Sequence, residues 1–77
     1  MKDISYEELV NCQDYAEKVI SFYKLCNKGE VPMTANDAEL AVREYNKEYR
    51  SFKVLYGYSI RGYIPTIVDC IGFIVEQ

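Results

Sequence analysis

The chain contains no histidine and no tryptophan, and only two prolines and four glycines interrupt its 77 residues. Without histidine, a serine or cysteine nucleophile lacks its usual general base, so we expect no nucleophilic catalysis of the familiar kind. A structural zinc site takes four Cys or His ligands, and this chain offers three cysteines at most. No glycine-rich phosphate-binding loop is present. We therefore expect a protein that is not an enzyme and that binds no metal and no cofactor.

The cysteines are few and odd in number, and no two of them form a Cys-x-x-Cys motif: Cys12, Cys26 and Cys70. An odd number, without a long apolar leader behind Met1, predicts free thiols in a reducing compartment. Cys12 and Cys26 fall on the apolar side of a predicted helix, so both are expected to be buried and unreactive. The apolar C-terminal run is too short to span a bilayer. We expect a cytoplasmic protein without a membrane partner.

Charge is distributed unevenly along the sequence. The net charge is −3, yet residues 43–63 carry five Lys or Arg against two Asp or Glu, whereas residues 1–42 carry four against eight. The acidic total argues against a duplex nucleic acid as partner, because such binding depends on neutralising phosphates. A basic middle segment can instead steer an acidic partner towards the protein.

Helical periodicity predicts a long first helix. Ser5 and Glu8 have the spacing of a capping box, and apolar residues then recur at helical spacing, which predicts a helix from about Tyr6 to Asn27. Gly29 is a natural stop in the left-handed conformation. The side of this helix that faces water is marked by Asn11, Asp14, Lys18 and Ser21.

A second helix is predicted after a short connector. Thr34 is placed to cap its start, and its apolar stripe continues without a change of phase to Tyr56, so we expect the helix to stop at Gly57. Glu39 lies four residues before Arg43, which favours an ion pair on the exposed face. Two helices of similar length joined by a short connector predict an antiparallel hairpin.

The most apolar segment is Ile64–Val75, where a single charge, Asp69, lies among Ile, Val, Cys and Phe residues. Read as a helix that begins with Pro65 in its first turn, it places Asp69 on the side away from the isoleucines, facing water. If the helix were enclosed, Asp69 would need a cation such as Arg61, because an unpaired buried carboxylate is costly.

Together these patterns predict one all-α domain over residues 1–77, in which the antiparallel helical hairpin has a short apolar third helix packed across it. The alternative is an α+β fold with C-terminal strands near residues 52–60 and 66–75, because β-branched and aromatic residues dominate there.

Tyrosine is unusually frequent, with eight residues. Its large ring and polar tip suit both the edges of a core and a half-exposed contact surface. Several tyrosines alternate with cations in the basic segment, a combination that can bind an acidic protein surface or a single-stranded nucleic acid. The candidate partner-binding residues are Arg43, Lys47, Tyr49, Arg50, Lys53, Tyr58, Arg61 and Tyr63.

We therefore expect a small non-enzymatic protein-binding module. Chains of this size are typical of phage-type inhibitors or regulators that occupy a surface of a larger host protein or complex. One alternative is a self-associating module that forms a homodimer through the C-terminal apolar helix. The other, less favoured by the acidic total, is a nucleic-acid binder that uses segment 43–63.

Overall fold

The computed structural model describes residues 3–77, and the expectation about a leader at Met1 lies outside them. These residues form four α-helices and one 3-10 turn: α1 Tyr6–Cys26, α2 Ala35–Glu48, α3 Phe52–Tyr56, the 3-10 turn Ile60–Gly62 and α4 Ile64–Val75. The prediction of an all-α fold is confirmed. The strand alternative is wrong, because no strand occurs anywhere in residues 3–77.

Helix α1 begins and ends where local hydrogen bonds dictate. The Glu8 amide donates to the Ser5 hydroxyl at 3.1 Å, and the Ser5 amide donates to the Glu8 carboxylate at 2.9 Å, which completes the predicted capping box. After the helix, the Gly29 amide donates to the Lys24 carbonyl at 2.8 Å. Gly29 has a φ of 86°, the left-handed region that glycine enters without steric cost.

Helix α2 also begins as predicted. The Thr34 hydroxyl accepts a hydrogen bond from the Asp37 amide at 3.1 Å. One turn further on, Arg43 donates to Glu39 at 3.0 Å on the exposed face. An exposed pair with this spacing contributes only about 0.3–0.5 kcal/mol to stability.

The end of α2 corrects the sequence prediction. The helix stops at Glu48, so the expected continuation to Tyr56 is wrong. The amides of Tyr49 and Arg50 both donate to the Tyr45 carbonyl, at 3.0 and 3.2 Å, and this shared acceptor closes the helix. The chain then reverses over residues 49–51 before a separate short helix begins.

Side chains from α1 and α2 hold this reversal in place. The Asn46 side-chain oxygen accepts from the Phe52 amide at 2.8 Å, and the Tyr15 hydroxyl of α1 donates to the Arg50 carbonyl at 2.5 Å. Ser51 then caps α3 by accepting from the Lys53 amide. As a result, Phe52 enters the core and is fully buried.

Helix α4 packs across the hairpin, as predicted. Helices α1 and α2 each contact α4 more extensively than they contact one another. Two α4 residues, Ile67 and Ile71, are fully buried against the hairpin, and five partly buried α4 side chains also pack against the core: Ile64, Val68, Cys70, Ile74 and Val75. The buried apolar side chains are Cys12, Tyr15, Ala16, Val19, Ile20, Ala38, Val42, Phe52, Tyr63, Ile67 and Ile71.

The other side of α4 is open to solvent. Pro65 lies in the first turn, as expected, and Asp69 is exposed, so its predicted place on the water side is confirmed. Phe73 has 59% of its surface exposed. One face of α4 therefore completes the core, while the opposite face exposes the apolar ring of Phe73 to solvent.

Replacing Asn46 tests whether its side chain stabilises the reversal. Asn46→Ala leaves the Phe52 amide without its acceptor, so we expect the free energy of unfolding to fall by about 1–2 kcal/mol in urea titrations. Asn36→Ala is the matched control, because Asn36 lies exposed in the same helix. The control should change stability by no more than about 0.5 kcal/mol. Equal losses in both variants would contradict this role of Asn46.

Candidate functional site

One edge of α1 is bound by tyrosines from the segment after the reversal. Glu8, Asn11 and Asp14 lie one turn apart along this edge. Their partners are three tyrosine hydroxyls: Tyr63 donates to Glu8, Tyr58 accepts from Asn11 at 2.7 Å, and Tyr56 donates to Asp14. Asn11 and Asp14 were expected on the water side of α1, and Asp14 is exposed there while Asn11 is half-buried. Both also bind residues 56–63 to the helix.

The tyrosine rings form one continuous aromatic cluster around Tyr15. Its ring lies edge-on to Phe52 at 5.1 Å, to Tyr45 at 5.5 Å and to Tyr56 at 6.1 Å, measured between centroids. Edge-to-face contacts of this kind are favourable because the positive ring edge meets a negative ring face. The members of the cluster are Tyr15, Phe22, Tyr45, Tyr49, Phe52, Tyr56, Tyr58 and Tyr63.

Burial and carboxylate partners hold the protons on these hydroxyls. The hydrogen bond to Glu8, together with partial burial, raises the pKa of Tyr63 to about 12. Burial, followed by the bond to Asp14, raises the pKa of Tyr56 well above its ordinary value. Burial also raises the pKa of Tyr15. All three hydroxyls therefore stay protonated further into the alkaline range than that of an ordinary tyrosine.

The predicted cations are all exposed, but they do not share one helix face. Arg43 and Lys47 lie four residues apart on α2, and Arg43 is paired with Glu39. Arg50 lies in the reversal and Lys53 in α3, so neither belongs to α2, although the predicted helix up to Tyr56 would have included both. Arg61 lies on the 3-10 turn, which contacts α4.

The reversal nevertheless brings the backbone positions of three cations close together. The bond between Asn46 and the Phe52 amide joins the end of α2 to the start of α3. Lys47 and Lys53 directly follow these two residues, and Arg50 lies between them. Within residues 3–77, no carboxylate lies within 4 Å of the ammonium or guanidinium nitrogens of these three cations.

The three predicted contact tyrosines have different environments. Tyr49 is half exposed and lies against Phe22, with ring centroids 4.0 Å apart. Tyr58 is half-buried through its bond to Asn11. Tyr63 is only 7% exposed and belongs to the core, so it is not a surface residue in this structure.

Two features of this region were not found from the sequence. Val54 is 74% exposed beside Lys53, because the short helix α3 directs Phe52 inward and Val54 outward. Partial burial raises the pKa of Tyr49, and the negative charges of Cys26, Glu48 and Glu44 add to this effect. The serine at position 51, a strong N-cap residue, was the local signal for a separate α3.

The cysteines differ from one another in burial. Cys12 is fully buried, as predicted, and burial raises its pKa to about 11. Cys26 is exposed, so the expectation that it is buried is wrong. Residues 24–30 are all exposed, which places the last turn of α1 beyond the part of the helix that its neighbours cover. Cys70 is half-buried, and burial raises its pKa as well.

Comparisons of the chain with protein-family models, with curated proteins and with solved structures produced no match. No helix in residues 3–77 has the length and hydropathy needed to cross a membrane. In the same residues, no three Cys, Asp or Glu side chains are grouped so that they could hold a metal ion. Its own surface must therefore suggest what the protein does.

Stability should depend on pH in the alkaline range. The pKa of Tyr63 is higher in the folded chain than its ordinary value of 10.0, so its contribution is complete below pH 10 and is lost as the pH rises towards about 12. We expect the free energy of unfolding to fall across this window. Tyr63→Phe should make this fall shallower in urea titrations between pH 10 and about 12.

Tyr6→Phe is the control for this pH series, because Tyr6 is 83% exposed and lies outside the aromatic cluster. Its profile should match that of the native chain. A Tyr63→Phe profile that also matches would show that the bond to Glu8 does not contribute.

Thiol labelling should separate the three cysteines. Because the thiolate is the reactive form and Cys26 is the exposed one of the three cysteines, one thiol should react rapidly with Ellman's reagent at pH 8, a pH about three units below the pKa of Cys12. Cys26→Ser should abolish the rapid phase, whereas Cys12→Ser should retain it. A rapid phase that survives Cys26→Ser would contradict this order of exposure.

Proposed function

We propose that this protein acts by binding another protein through the basic surface, defined as Lys47, Arg50, Lys53 and Val54. It works by occupying an acidic surface of its partner, without chemistry of its own. Regulation or inhibition of a larger host protein or complex, in the manner of a phage-type accessory protein, is the form of action that we propose for so small a chain.

The observation that supports this proposal is the unpaired charge. The chain carries twelve Asp or Glu residues against nine Lys or Arg, yet Lys47, Arg50 and Lys53 have no carboxylate within 4 Å among residues 3–77. Three neighbouring cations on an acidic protein create a local positive potential, which speeds encounter with an acidic surface and disfavours other partners. The exposed Val54 adds an apolar contact beside them.

The aromatic cluster favours a protein over a single-stranded nucleic acid. Binding of unpaired bases depends on open ring faces on which the bases stack. Six of the eight tyrosines belong to the cluster, and four of their hydroxyls are bonded to α1 or to the reversal. Tyr49 is the only half-exposed member near the basic surface. The rings therefore serve mainly to hold the fold together.

Affinity capture with charge-matched variants tests the proposal. The tagged protein captures partners from a lysate of its native host, and mass spectrometry identifies them. Lys47→Glu combined with Lys53→Glu should reduce capture of the specific partner by about tenfold or more, and added salt should weaken capture by the native chain.

The matched control is Lys18→Glu combined with Lys24→Glu, which changes the net charge equally on α1. It should capture the partner as well as the native chain does, and circular dichroism should show that both double variants are folded. Equal capture by the two double variants would contradict the proposed surface. Loss of capture after nuclease treatment would point to a nucleic acid instead.

A further inference from the structure

The outer side of α4 carries a second exposed surface. Phe73 is 59% exposed, and Met33, in the connector before α2, is 75% exposed. Both line an open groove of about 590 Å³ between α4 and the start of α2. A second groove of about 430 Å³ lies between α4 and α1, and Phe73 lines it too. We call Phe73 and these two grooves the Phe73 face.

The charges around the Phe73 face all have one sign. Asp69 lines both grooves, Glu76 lines the first and Glu17 lines the second. Within residues 3–77, no Lys or Arg lines either groove, and α4 itself contains no basic residue. A third groove beside Asp69 adds Glu39, whose charge is offset by its ion pair with Arg43. The Phe73 face therefore has an apolar centre, and the charged side chains that line its two grooves are all acidic.

The shape of the face suits a helix. Gly72 lies next to Phe73, and a Cβ atom added there would meet nothing within 4 Å, so the first groove is open down to the backbone of α4. An amphipathic helix laid into a hydrophobic groove uses apolar side chains at i, i+3, i+4 and i+7. Two grooves separated by the Phe73 ring can receive successive anchors of this kind.

We propose that the Phe73 face binds a basic amphipathic helix of a partner protein. The apolar side chains of the partner helix fill the two grooves, and the Lys or Arg residues of that helix pair with Glu17, Asp69 and Glu76. Complementary charge is the basis of the assignment, since an acidic rim favours a cationic partner and repels an anionic one. The proposal concerns a separate surface and does not depend on the basic surface described above.

A second copy of this chain fits the Phe73 face poorly. In a twofold symmetric contact each surface meets its own counterpart. Asp69 and Glu76 of one copy would then approach the acidic rim of the other, and this face supplies no cation to offset the repulsion. Homodimerisation through α4 is therefore disfavoured relative to a basic partner.

A synthetic peptide provides the probe. It is a fluorescein-labelled helix of leucine and lysine, about 18 residues or five helical turns long, with leucine at the amphipathic positions. The comparison peptide has glutamate in place of every lysine. Fluorescence anisotropy should show that the lysine peptide binds the native chain at least about tenfold more tightly. Amide shifts in NMR spectra should map to α4 and to the groove-lining residues of α1 and the connector.

Protein variants then locate the binding. Phe73→Ser and Glu76→Lys should each weaken binding of the lysine peptide by about tenfold. The matched controls are Leu25→Ser, at an 83% exposed apolar residue of α1, and Glu7→Lys, at an exposed carboxylate in the first turn of α1, since neither residue lines the two grooves. Both controls should retain the native affinity within about twofold.

Gly72→Leu separates loss of binding from loss of fold. Leucine favours a helix more than glycine does, and a Cβ atom at position 72 meets nothing within 4 Å, so we expect this variant to be at least as stable as the native chain while its side chain occupies the first groove. It should bind the lysine peptide about tenfold more weakly.

Four results would each overturn the proposal. They are equal binding of the two peptides, native affinity in Phe73→Ser and Gly72→Leu, amide shifts that map outside the two grooves, and sedimentation showing a dimer that Phe73→Ser dissociates. The first three would remove the basic helix from this face, and the last would make a second copy its occupant.

Discussion

The bond from the Tyr15 hydroxyl to the Arg50 carbonyl connects the first helix to the middle of the chain. Tyr15 is fully buried, and a buried hydroxyl without a partner costs about 1–3 kcal/mol. Its acceptor, 2.5 Å away, is within reach because α2 ends at Glu48 and the chain turns back towards α1. The same turn carries Phe52 into edge-to-face contact with the Tyr15 ring. The hydrogen bond from Tyr15 to Arg50 and the ring contact between Tyr15 and Phe52 thus both hold the reversal against α1.

The reversal also decides what the surface presents. Because Phe52 points inward, Val54 and Lys53 point outward, next to the cations that precede them. The tyrosines that follow are then bound to Glu8, Asn11 and Asp14 along α1. A residue type that is common in protein interfaces is here used largely for internal support, while unpaired cations are left facing solvent.

The size of the chain explains why apolar side chains remain exposed elsewhere. A domain of this length buries only about 60–65% of the surface of its unfolded chain. Ile67 and Ile71 complete the core, but nothing in residues 3–77 covers Phe73 on the opposite side of α4. The charged residues that line the Phe73 face are acidic and the reversal carries three cations, so the two surfaces that we propose as binding sites differ in the sign of their charge.

The sequence alone determined the features that depend on residues a few positions apart. Ser5 with Glu8, Thr34 with Asp37, and Gly29 define helix ends through bonds between near neighbours, so composition and spacing predict them. The all-α class followed in the same way from helical periodicity. The exposed position of Asp69 followed from its place opposite the isoleucines of α4.

Tertiary structure decided what depends on residues far apart in the chain. Tyr15 meets Arg50 across 35 positions, and Asn11 meets Tyr58 across 47, so no local pattern marks these polar residues as partners. Helical phase could not place the break after Glu48, because the stripe continues through Phe52 whether or not the helix does. Nor could helical phase predict that Cys26 is exposed, since its exposure depends on where the neighbouring helices end. Periodicity assigns each side chain to a helix face, but only packing determines whether another element covers that face.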